Sequence, residues 1–323
     1  MAYQDDIKKA AALLLPWNKL SGCNILVTGA TGLIGGCLVD VLMAHKGRNY
    51  NVYASGRNEE RAGRRFLKYA DDNSFHFVKY DVAHPLEYDV NFQYIIHAAS
   101  GAYPEEFIKH PVEVIKGNIN GVDNLMGYGI QHGIKRLLYI SSGEVYGEGD
   151  GRVFTENYSG YVDCTSLRSC YPSSKRAAET LCISYGAEYG IDVVIARPCH
   201  VYGPGFTESD NRVYAQFIRN VLRKENIVMK STGEQYRSWC YVVDCVSALL
   251  YILLKGETQQ AYNIADASSN ISIRELAELI AQLGGEKVIT ILPEDMKLDA
   301  LGWQLKGCMK DKMLATIKEA GNL

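Results

Sequence analysis

The organisation of this chain follows from one stretch near its start, Ile25-Leu26-Val27-Thr28-Gly29-Ala30-Thr31-Gly32-Leu33-Ile34-Gly35. A short apolar segment of β type enters a glycine-rich turn, and an apolar, helix-like stretch at 38–43 follows. Gly29 permits a sharp turn from strand to helix, Gly32 lets the backbone approach a pyrophosphate, and Gly35 lets the helix pack closely on the sheet. Free N–H groups at the helix start, with the helix dipole behind them, then bind the anion. A glycine-containing turn alone is ordinary, but the strand before it and the helix after it predict a dinucleotide site.

Strand-like segments alternate with helical segments through the first two-thirds of the chain. The candidate strands are Asn24–Thr28, Asn51–Ser55, Phe75–Lys79, Tyr94–His97, Leu137–Ser141 and Val193–Arg197. Apolar strands separated by helices predict an α/β fold, a Rossmann-like doubly wound parallel sheet with a smaller C-terminal lobe. We expect a dinucleotide-binding domain over 1–196, to which 238–265 return, and a substrate-binding lobe that occupies most of 197–323.

Composition excludes several classes of protein. The 323 residues are 47% hydrophobic and carry a formal net charge of −3, so we expect no nucleic-acid partner. No apolar run reaches the length of a membrane span, and the first residues carry acid where a secretory signal needs positive charge. We therefore expect a cytoplasmic chain with no membrane association. The nine cysteines show neither CxxC pairs nor histidines at zinc spacing, and we expect no metal.

The ends of later strands predict the rest of the dinucleotide site. In NAD sites an acid after the second strand binds the ribose, but Gly56-Arg57-Asn58 stands here. Arg57 favours a 2′-phosphate, and hence NADP over NAD, unless it is a solvated surface arginine. Asp81 and Val82 follow the third strand, where a carboxylate can face an adenine. Ala98-Ala99-Ser100 follow the next strand and are small enough for a cofactor to lie against the backbone. The alternative for each of these two segments is a simple turn at the end of a strand.

The chemistry is predicted by Tyr171-Pro172-Ser173-Ser174-Lys175, which opens a helix and puts Tyr171 and Lys175 on one face. A phenol is a poor base at its ordinary pKa of about 10. A neighbouring ammonium and an oxidised nicotinamide both stabilise the phenolate, so we expect the pKa of Tyr171 to fall. The phenolate then takes a proton from a sugar hydroxyl as hydride leaves. The pair alone is equally typical of a surface helix; behind a glycine-rich turn it indicates a catalytic site.

A second group lies upstream, at Ser141-Ser142-Gly143-Glu144. The hydroxyls of Ser141 and Ser142 can hydrogen-bond a reacting oxygen, and Glu144 can serve as a second acid or base. The alternative is a capping serine cluster beside a solvent-facing glutamate.

With these motifs, the chain resembles an extended short-chain dehydrogenase/reductase of the NAD-dependent nucleotide-sugar epimerase/dehydratase family along nearly its whole length. Further matches are Arg197–Gly205, Arg237 before Tyr241–Asp244, and Leu301–Trp303. Within the family it resembles the UDP-glucuronate decarboxylase group most. Those matches are Glu156–Tyr158, Arg168–Tyr171 and Arg212–Val213.

The resemblance implies an NAD(P) cofactor, a nucleotide-sugar substrate, a 4-keto intermediate and a homodimer built from the helices near 111–132 and 171–189. Lyases, isomerases and oxidoreductases of the family all use this chemistry. The implied catalytic residues are Tyr171, Lys175, Ser142 and Glu144. The implied cofactor-binding residues are Gly29, Thr31, Gly32, Leu33, Ile34, Gly35, Arg57, Asp81, Val82, Ala98, Ala99, Ser100, Asn118, Ser141, Tyr171, Lys175, Pro198 and Val201. The implied substrate-binding residues are Tyr103, Glu144, His200, Arg212 and Arg237.

Two positions depart from the family pattern. Gly143 stands where 4,6-dehydratases carry an aspartate and decarboxylases a hydroxyl residue, and His200 stands where most members carry an asparagine. The missing acid disfavours simple dehydration, and the resemblance as a whole implies decarboxylase-like chemistry first and epimerisation second. The alternatives are a 4,6-dehydratase, an NADPH-dependent 4-keto-sugar reductase, and a non-catalytic dinucleotide-binding sensor.

Overall fold

A seven-stranded parallel sheet is the centre of the computed structural model, which describes residues 2–102, 104–206 and 210–290. Its strands run in the order β10-β6-β5-β4-β1-β2-β3. The strands of the described chain are β1 Asn24–Thr28, β2 Asn51–Gly56, β3 Phe75–Lys79, β4 Tyr94–His97, β5 Arg136–Ile140, β6 Val193–Pro198, β7 His200–Tyr202, β8 Ile227–Met229, β9 Tyr236–Tyr241, β10 Ala261–Ile264, β11 Asn270–Ser272 and β12 Val288–Thr290. The predicted Rossmann-like fold is confirmed.

The described residues form nine helices. They are α1 Ala2–Ala11, α2 Leu33–Ala44, α3 Glu59–Phe66, α4 Pro104–Lys109, α5 Pro111–His132, α6 Cys170–Tyr189, α7 Val213–Leu222, α8 Val242–Lys255 and α9 Ile273–Gly284. The sequence did not predict α4, because six residues are too few to show a helical period.

Helices cover the sheet on both faces because its strands are apolar on both sides. In β1, Ile25 and Val27 are buried in one core, together with residues of α2 and α8. Leu26, between them, is buried in the other core, with residues of α5 and α6. Alternate side chains of a strand point to opposite faces, so a strand that is apolar throughout needs a layer of helices on each side.

The strand order reverses at β1, which pairs with β2 on one side and with β4 on the other. In an open parallel sheet this switch point opens a crevice at the carboxyl ends of the strands, where ligands bind. The fold therefore places the residues after β1 and β4 at a ligand crevice.

Packing divides the chain into two compact units. Among the described residues, unit 1 holds those from 2 to 216 and from 236 to 271, and unit 2 holds those from 217 to 235 and from 272 to 290. Unit 1 contains the seven-stranded sheet and the parallel pair β7–β9; unit 2 contains the parallel pair β8–β12 and all of α9. The expected division into cofactor and substrate domains at residue 196 stays a prediction.

Two properties of the described residues bear on partners. No helix among them combines the length and the apolar character needed to cross a bilayer. Nor does any group of three or more His, Cys, Asp and Glu side chains among them come together as a metal site.

Candidate active site

The glycine-rich turn joins β1 to α2 at the switch point. Gly29 has a φ of +65°, and a Cβ there would lie 2.7 Å from the carbonyl oxygen of Ala98 and from the backbone of Ala99. A Cβ at Gly35 would lie 2.4 Å from the carbonyl oxygen of Gly29. Only glycine fits at these two positions, because the turn, the start of α2 and the residues after β4 are in backbone contact.

The start of α2 offers its N–H groups to a ligand. Gly32 is the N-cap residue and supplies no side chain to cap the helix, and the first turn carries no acid. Thr31, Leu33 and Ile34 are all partly exposed around this end. The uncapped N–H groups and the positive end of the helix dipole are suited to a pyrophosphate.

Hydrogen bonds fix the residues after β4 against this turn. Thr28 Oγ1 lies 2.8 Å from His97 Nδ1 and accepts a hydrogen bond of 3.3 Å from Ala99 N–H. Burial lowers the pKa of His97 to about 3, and the charge of Lys175 lowers it further. A neutral His97 therefore helps to hold Ala98 and Ala99 in place across the physiological pH range.

A polar chain runs from these residues into α6. Ser100 Oγ donates to Asn118 Oδ1 at 2.8 Å, and Asn118 Nδ2 donates to Ser174 Oγ at 2.9 Å. Asn118 is almost fully buried, so this chain fixes Ser100 relative to the helix that carries Tyr171 and Lys175.

Asp81 and Val82 lie directly after β3 and are partly exposed. Asp81 Oδ1 accepts a hydrogen bond of 3.1 Å from Ala83 N–H, so this carboxylate also stabilises its own turn. Val82 carbonyl oxygen accepts a hydrogen bond of 2.9 Å from Asn124 in α5. Their predicted contact with the adenine stays a prediction.

Tyr171 and Lys175 lie on the buried face of α6. Tyr171 is 6% exposed and Lys175 is 1% exposed. Lys175 Nζ lies 5.7 Å from the centre of the Tyr171 ring and 4.8 Å from that of Tyr139, and it donates to Ile140 carbonyl oxygen at 2.9 Å. The i, i+4 spacing therefore places the two side chains together, as the sequence predicted.

Burial changes the ionisation of this pair. It raises the pKa of Tyr171 to about 12, although hydrogen bonding to Ser142 and Ser100 lowers it. Burial also lowers the pKa of Lys175 to about 7, and the charge of Glu179 opposes this fall. The expected fall in the pKa of Tyr171 is thus not produced by this chain's own groups, because the sequence argument left out the cost of burying a charge.

Ser141 and Ser142 directly follow β5. Ser142 Oγ accepts a hydrogen bond of 3.2 Å from Glu144 N–H, and its hydroxyl lowers the pKa of Tyr171. Ser141 Oγ is buried, with no hydrogen-bond partner among the described residues. Ser142 therefore caps the short helical turn that follows β5, and its catalytic role stays a prediction.

Glu144 is partly exposed and forms an ion pair with Arg168. Arg168 Nη2 donates to both of its carboxylate oxygens at 2.6 Å. The guanidinium carbon of Arg168 lies 4.5 Å from the centre of the Phe107 ring, and Phe107 stacks on Tyr171 at 4.8 Å. An ion pair and an aromatic stack therefore enclose the phenol from the side of α4.

Cationic and aromatic groups lie in and beside β7 and β9. His200 pairs in register with Trp239, and their rings lie 5.4 Å apart. Although His200 keeps some exposed surface, partial burial and the charge of Arg237 lower its pKa. Arg237 is exposed and donates to Tyr236 carbonyl oxygen, and Arg212 forms an ion pair of 2.6 Å with buried Asp210. Electrostatic effects of Glu144, Arg212 and Arg237 all reach His200.

The remaining predicted residues are placed as follows. Pro198 ends β6 and Val201 lies in β7, and both are buried. Arg57 is exposed after β2. Tyr103 and Leu301–Trp303 lie outside the described residues.

Four residues that contact the predicted site residues were not themselves identified as site residues from the sequence. Arg168 and Glu179 have local signals, since one lies three residues before Tyr171 and the other four residues after Lys175, each within one helical turn. Phe107 and Arg61 had no signal, because their contacts are made across loops. Arg61 Nη2 donates to Thr31 carbonyl oxygen at 2.7 Å.

These residues fit a nicotinamide dinucleotide. The backbone contacts at Gly29 and Gly35 leave the start of α2 open, and the buried Ser141 hydroxyl lacks a partner within the described chain. The turn suits the pyrophosphate, and the carboxyl ends of β4 and β5 lead from it to Tyr171.

Comparisons with known proteins agree with this arrangement. Residues 25–265 match the NAD dependent epimerase/dehydratase family. The chain is 34% identical over 302 residues to UDP-glucuronic acid decarboxylase 6 of Arabidopsis thaliana, with 88% of this chain and 85% of the relative covered.

Two solved structures share the fold. One is the dTDP-glucose 4,6-dehydratase of Bacillus anthracis in complex with NAD, with a TM-score of 0.72, 22% identity, and coverage of 88% of this chain and 92% of that one. The other is the UDP-glucuronic acid 4-epimerase of Bacillus cereus in complex with UDP-glucuronic acid and NAD. Its TM-score is 0.72 at 23% identity, with 83% of this chain and 85% of that one covered.

Proposed function

The chain belongs to the NAD dependent epimerase/dehydratase family, and from this premise we propose that it is an enzyme that modifies a nucleotide-linked sugar through transient oxidation at C4. The chemistry most like that of its relatives is decarboxylation of a UDP-glucuronate-type substrate. The observation that carries the proposal is the buried Tyr171 phenol, which lies one helical turn before Lys175 and whose pKa the Ser142 and Ser100 hydroxyls lower.

Tyr171 is the group that moves the C4 hydroxyl proton. Its phenol is protonated at neutral pH in the protein itself, since burial holds its pKa at about 12. A nicotinamide dinucleotide, when bound, supplies the hydride acceptor and a positive charge. The Ser142 and Ser100 hydroxyls lower the pKa of the phenol and so favour the phenolate, and Lys175 Nζ lies 5.7 Å from the centre of its ring.

Glu144 and Arg168 supply the second part of the site. The ion pair holds a cation and a carboxylate together on the Phe107 side of the phenol. A substrate with an acidic group at C6 competes with Glu144 for Arg168, because a guanidinium binds a carboxylate in the same bidentate way. Such a substrate becomes a β-keto acid after oxidation at C4, and loss of CO2 follows from that chemistry.

Epimerisation is the second candidate, and Gly143 is the observation that favours it. A Cβ at Gly143 would meet nothing closer than Pro198 carbonyl oxygen at 3.6 Å, and the residue has no positive φ. Glycine is therefore not required by the backbone, and the hydroxyl that decarboxylases carry here is missing without a structural cause. A site that lacks this hydroxyl has one proton donor fewer for the product of CO2 loss.

The test is incubation of the purified protein in heavy water with UDP-glucuronate, UDP-glucose and dTDP-glucose, each with NAD⁺ and with NADP⁺. Mass spectrometry then reads the products. Loss of CO2 from UDP-glucuronate, with one deuteron gained at C5, supports the leading proposal. An isomer of unchanged heavy-atom composition indicates an epimerase, and loss of water a dehydratase. No product from any sugar, together with tight dinucleotide binding, would contradict the enzyme and favour a sensor.

We also propose a homodimer and a cytoplasmic location. Helices α5 and α6 pack on each other and present the apolar side chains of Val112, Ile115 and Tyr189 to solvent, which supports pairing with a second copy. The described cysteines are free thiols, which suits a reducing compartment.

A further inference from the structure

Four arginines follow the second strand within nine residues, and they differ in their partners. Arg65 pairs with the buried carboxylate of Asp40 at 2.5 Å, and Arg64 pairs at 3.3 Å with an exposed glutamate four residues before it. Arg57 and Arg61 form no ion pair with any described residue. Two guanidinium groups beside the glycine-rich turn are therefore not neutralised by a carboxylate of the described chain.

These two arginines are placed by the local fold. Asn58 Oδ1 accepts a hydrogen bond of 2.8 Å from Arg61 N–H and so starts α3 directly after β2. Arg61 then reaches back to the turn, where Nη2 donates to Thr31 carbonyl oxygen at 2.7 Å. A Cβ at Gly56 would lie 3.5 Å from the Thr31 side chain, so the end of β2, and with it Arg57, adjoins the same turn.

No carboxylate stands where a free ribose needs one. The residues from Ser55 to Asn58 contain no acid. Glu59 forms an ion pair of 2.9 Å with Lys79, and Glu60 is the partner of Arg64. The acids nearest to the end of β2 are thus paired with other cations, and the local charge that remains is that of Arg57 and Arg61.

We propose that Arg57 and Arg61 together bind the 2′-phosphate of NADP(H), so that this chain uses the phosphorylated dinucleotide in preference to NAD(H). The assignment rests on the proposed function, since it requires that the glycine-rich turn binds a nicotinamide dinucleotide. Each guanidinium has five N–H donors, and Arg61 uses only one of them to hydrogen-bond Thr31. The others remain for phosphate oxygens, which match the planar guanidinium in charge and geometry.

The contact with Thr31 also affects how much Arg61 contributes to cofactor binding. A side chain anchored on the turn loses less rotamer entropy on binding than a free surface arginine does. Arg61 therefore contributes more to discrimination between the two cofactors than exposed Arg57, which has no such anchor.

The test is isothermal titration of the full chain with NADP⁺, NAD⁺, adenosine 2′,5′-bisphosphate and AMP, without any sugar. We expect the wild type to bind each 2′-phosphorylated ligand more tightly than its counterpart by about tenfold or more. Arg61→Ala should remove most of this preference and Arg57→Ala a smaller part of it, in each case by weakening the 2′-phosphorylated ligands alone. Arg64→Ala is the matched control on the same helix, and it should leave both affinities unchanged, because Arg64 is already paired.

Three outcomes would overturn the assignment. Equal or tighter binding of NAD⁺ by the wild type would refute it while leaving the proposed function intact. An equal loss for both dinucleotides in Arg61→Ala, with Arg57→Ala unchanged for both, would show that Arg61 only supports the turn. Failure to bind either dinucleotide would refute the proposed function together with this inference.

Discussion

Replacing Lys175 by methionine tests whether its ammonium is as costly to bury as the structure indicates. The side chain is 1% exposed, and its Nζ has one described hydrogen bond, to Ile140 carbonyl oxygen. Methionine keeps the length and flexibility of the lysine stem and removes the ionisable group. The variant should therefore be more stable than the wild type at neutral pH, although it loses a group that we propose to act in catalysis.

The magnitude follows from the pKa. Burial lowers the pKa of Lys175 from an ordinary 10.5 to about 7. At 1.36 kcal/mol per pKa unit, the charged form costs about 5 kcal/mol of unfolding free energy at pH 6. Loss of the hydrogen bond to Ile140 takes back about 1 kcal/mol at every pH.

The pH dependence separates these two effects. Lys175 is a base whose pKa in the folded state lies below its value in the unfolded chain, so unfolding takes up a proton between about pH 7 and pH 10.5. The penalty is full below pH 7 and shrinks as pH rises. The advantage of the variant should therefore fall by about 3 kcal/mol between pH 6 and pH 9.

The assay is urea unfolding followed by circular dichroism at pH 6, 7, 8 and 9, without dinucleotide. Lys116→Met is the control, because Lys116 is exposed on α5, and its effect should not vary with pH. A difference between Lys175→Met and wild type that stays constant, or that grows toward pH 9, would refute the buried cation.

Three further results are expected. Tyr171→Phe should lower turnover about 100- to 10,000-fold, because it removes the proton-transfer group, while calorimetry shows dinucleotide affinity retained; near-normal turnover would refute the mechanism. Glu179→Gln should destabilise the chain to urea by about 3 kcal/mol, because it leaves Arg197 partly buried without its carboxylate, whereas Arg152→Gln in an exposed ion pair should change little. Analytical ultracentrifugation at micromolar concentration should give a dimer mass, and a monomer would contradict the pairing of α5 and α6.

Much of the fold could be predicted because its signals are local. The strands β1, β3 and β4 have the predicted bounds, and α5 begins and ends where the sequence placed it. Apolar runs of strand length and helical periods are properties of neighbouring residues, so they can be identified without knowledge of tertiary contacts. Helix α4 was missed, and with it Phe107, because six residues carry no period.

The site was predicted less completely. Tyr171 and Lys175 were found because i, i+4 spacing fixes their proximity within one helix. The pairing of Glu144 with Arg168 spans 24 residues of irregular chain, and no local pattern indicates it. Arg61 was passed over in favour of Arg57 because only the course of α3 brings its guanidinium to Thr31.

The sequence by itself determined the doubly wound sheet, the glycine-rich turn and the tyrosine–lysine pair, since each depends on the order of residues within one or two elements. Only the tertiary structure decided the charges of the site: a pKa near 12 for Tyr171, a pKa near 7 for Lys175, and which arginines lack a carboxylate. The physical reason is that ionisation depends on desolvation and on charges brought close by distant parts of the chain. Burial of this kind is set by the packing of all the elements together.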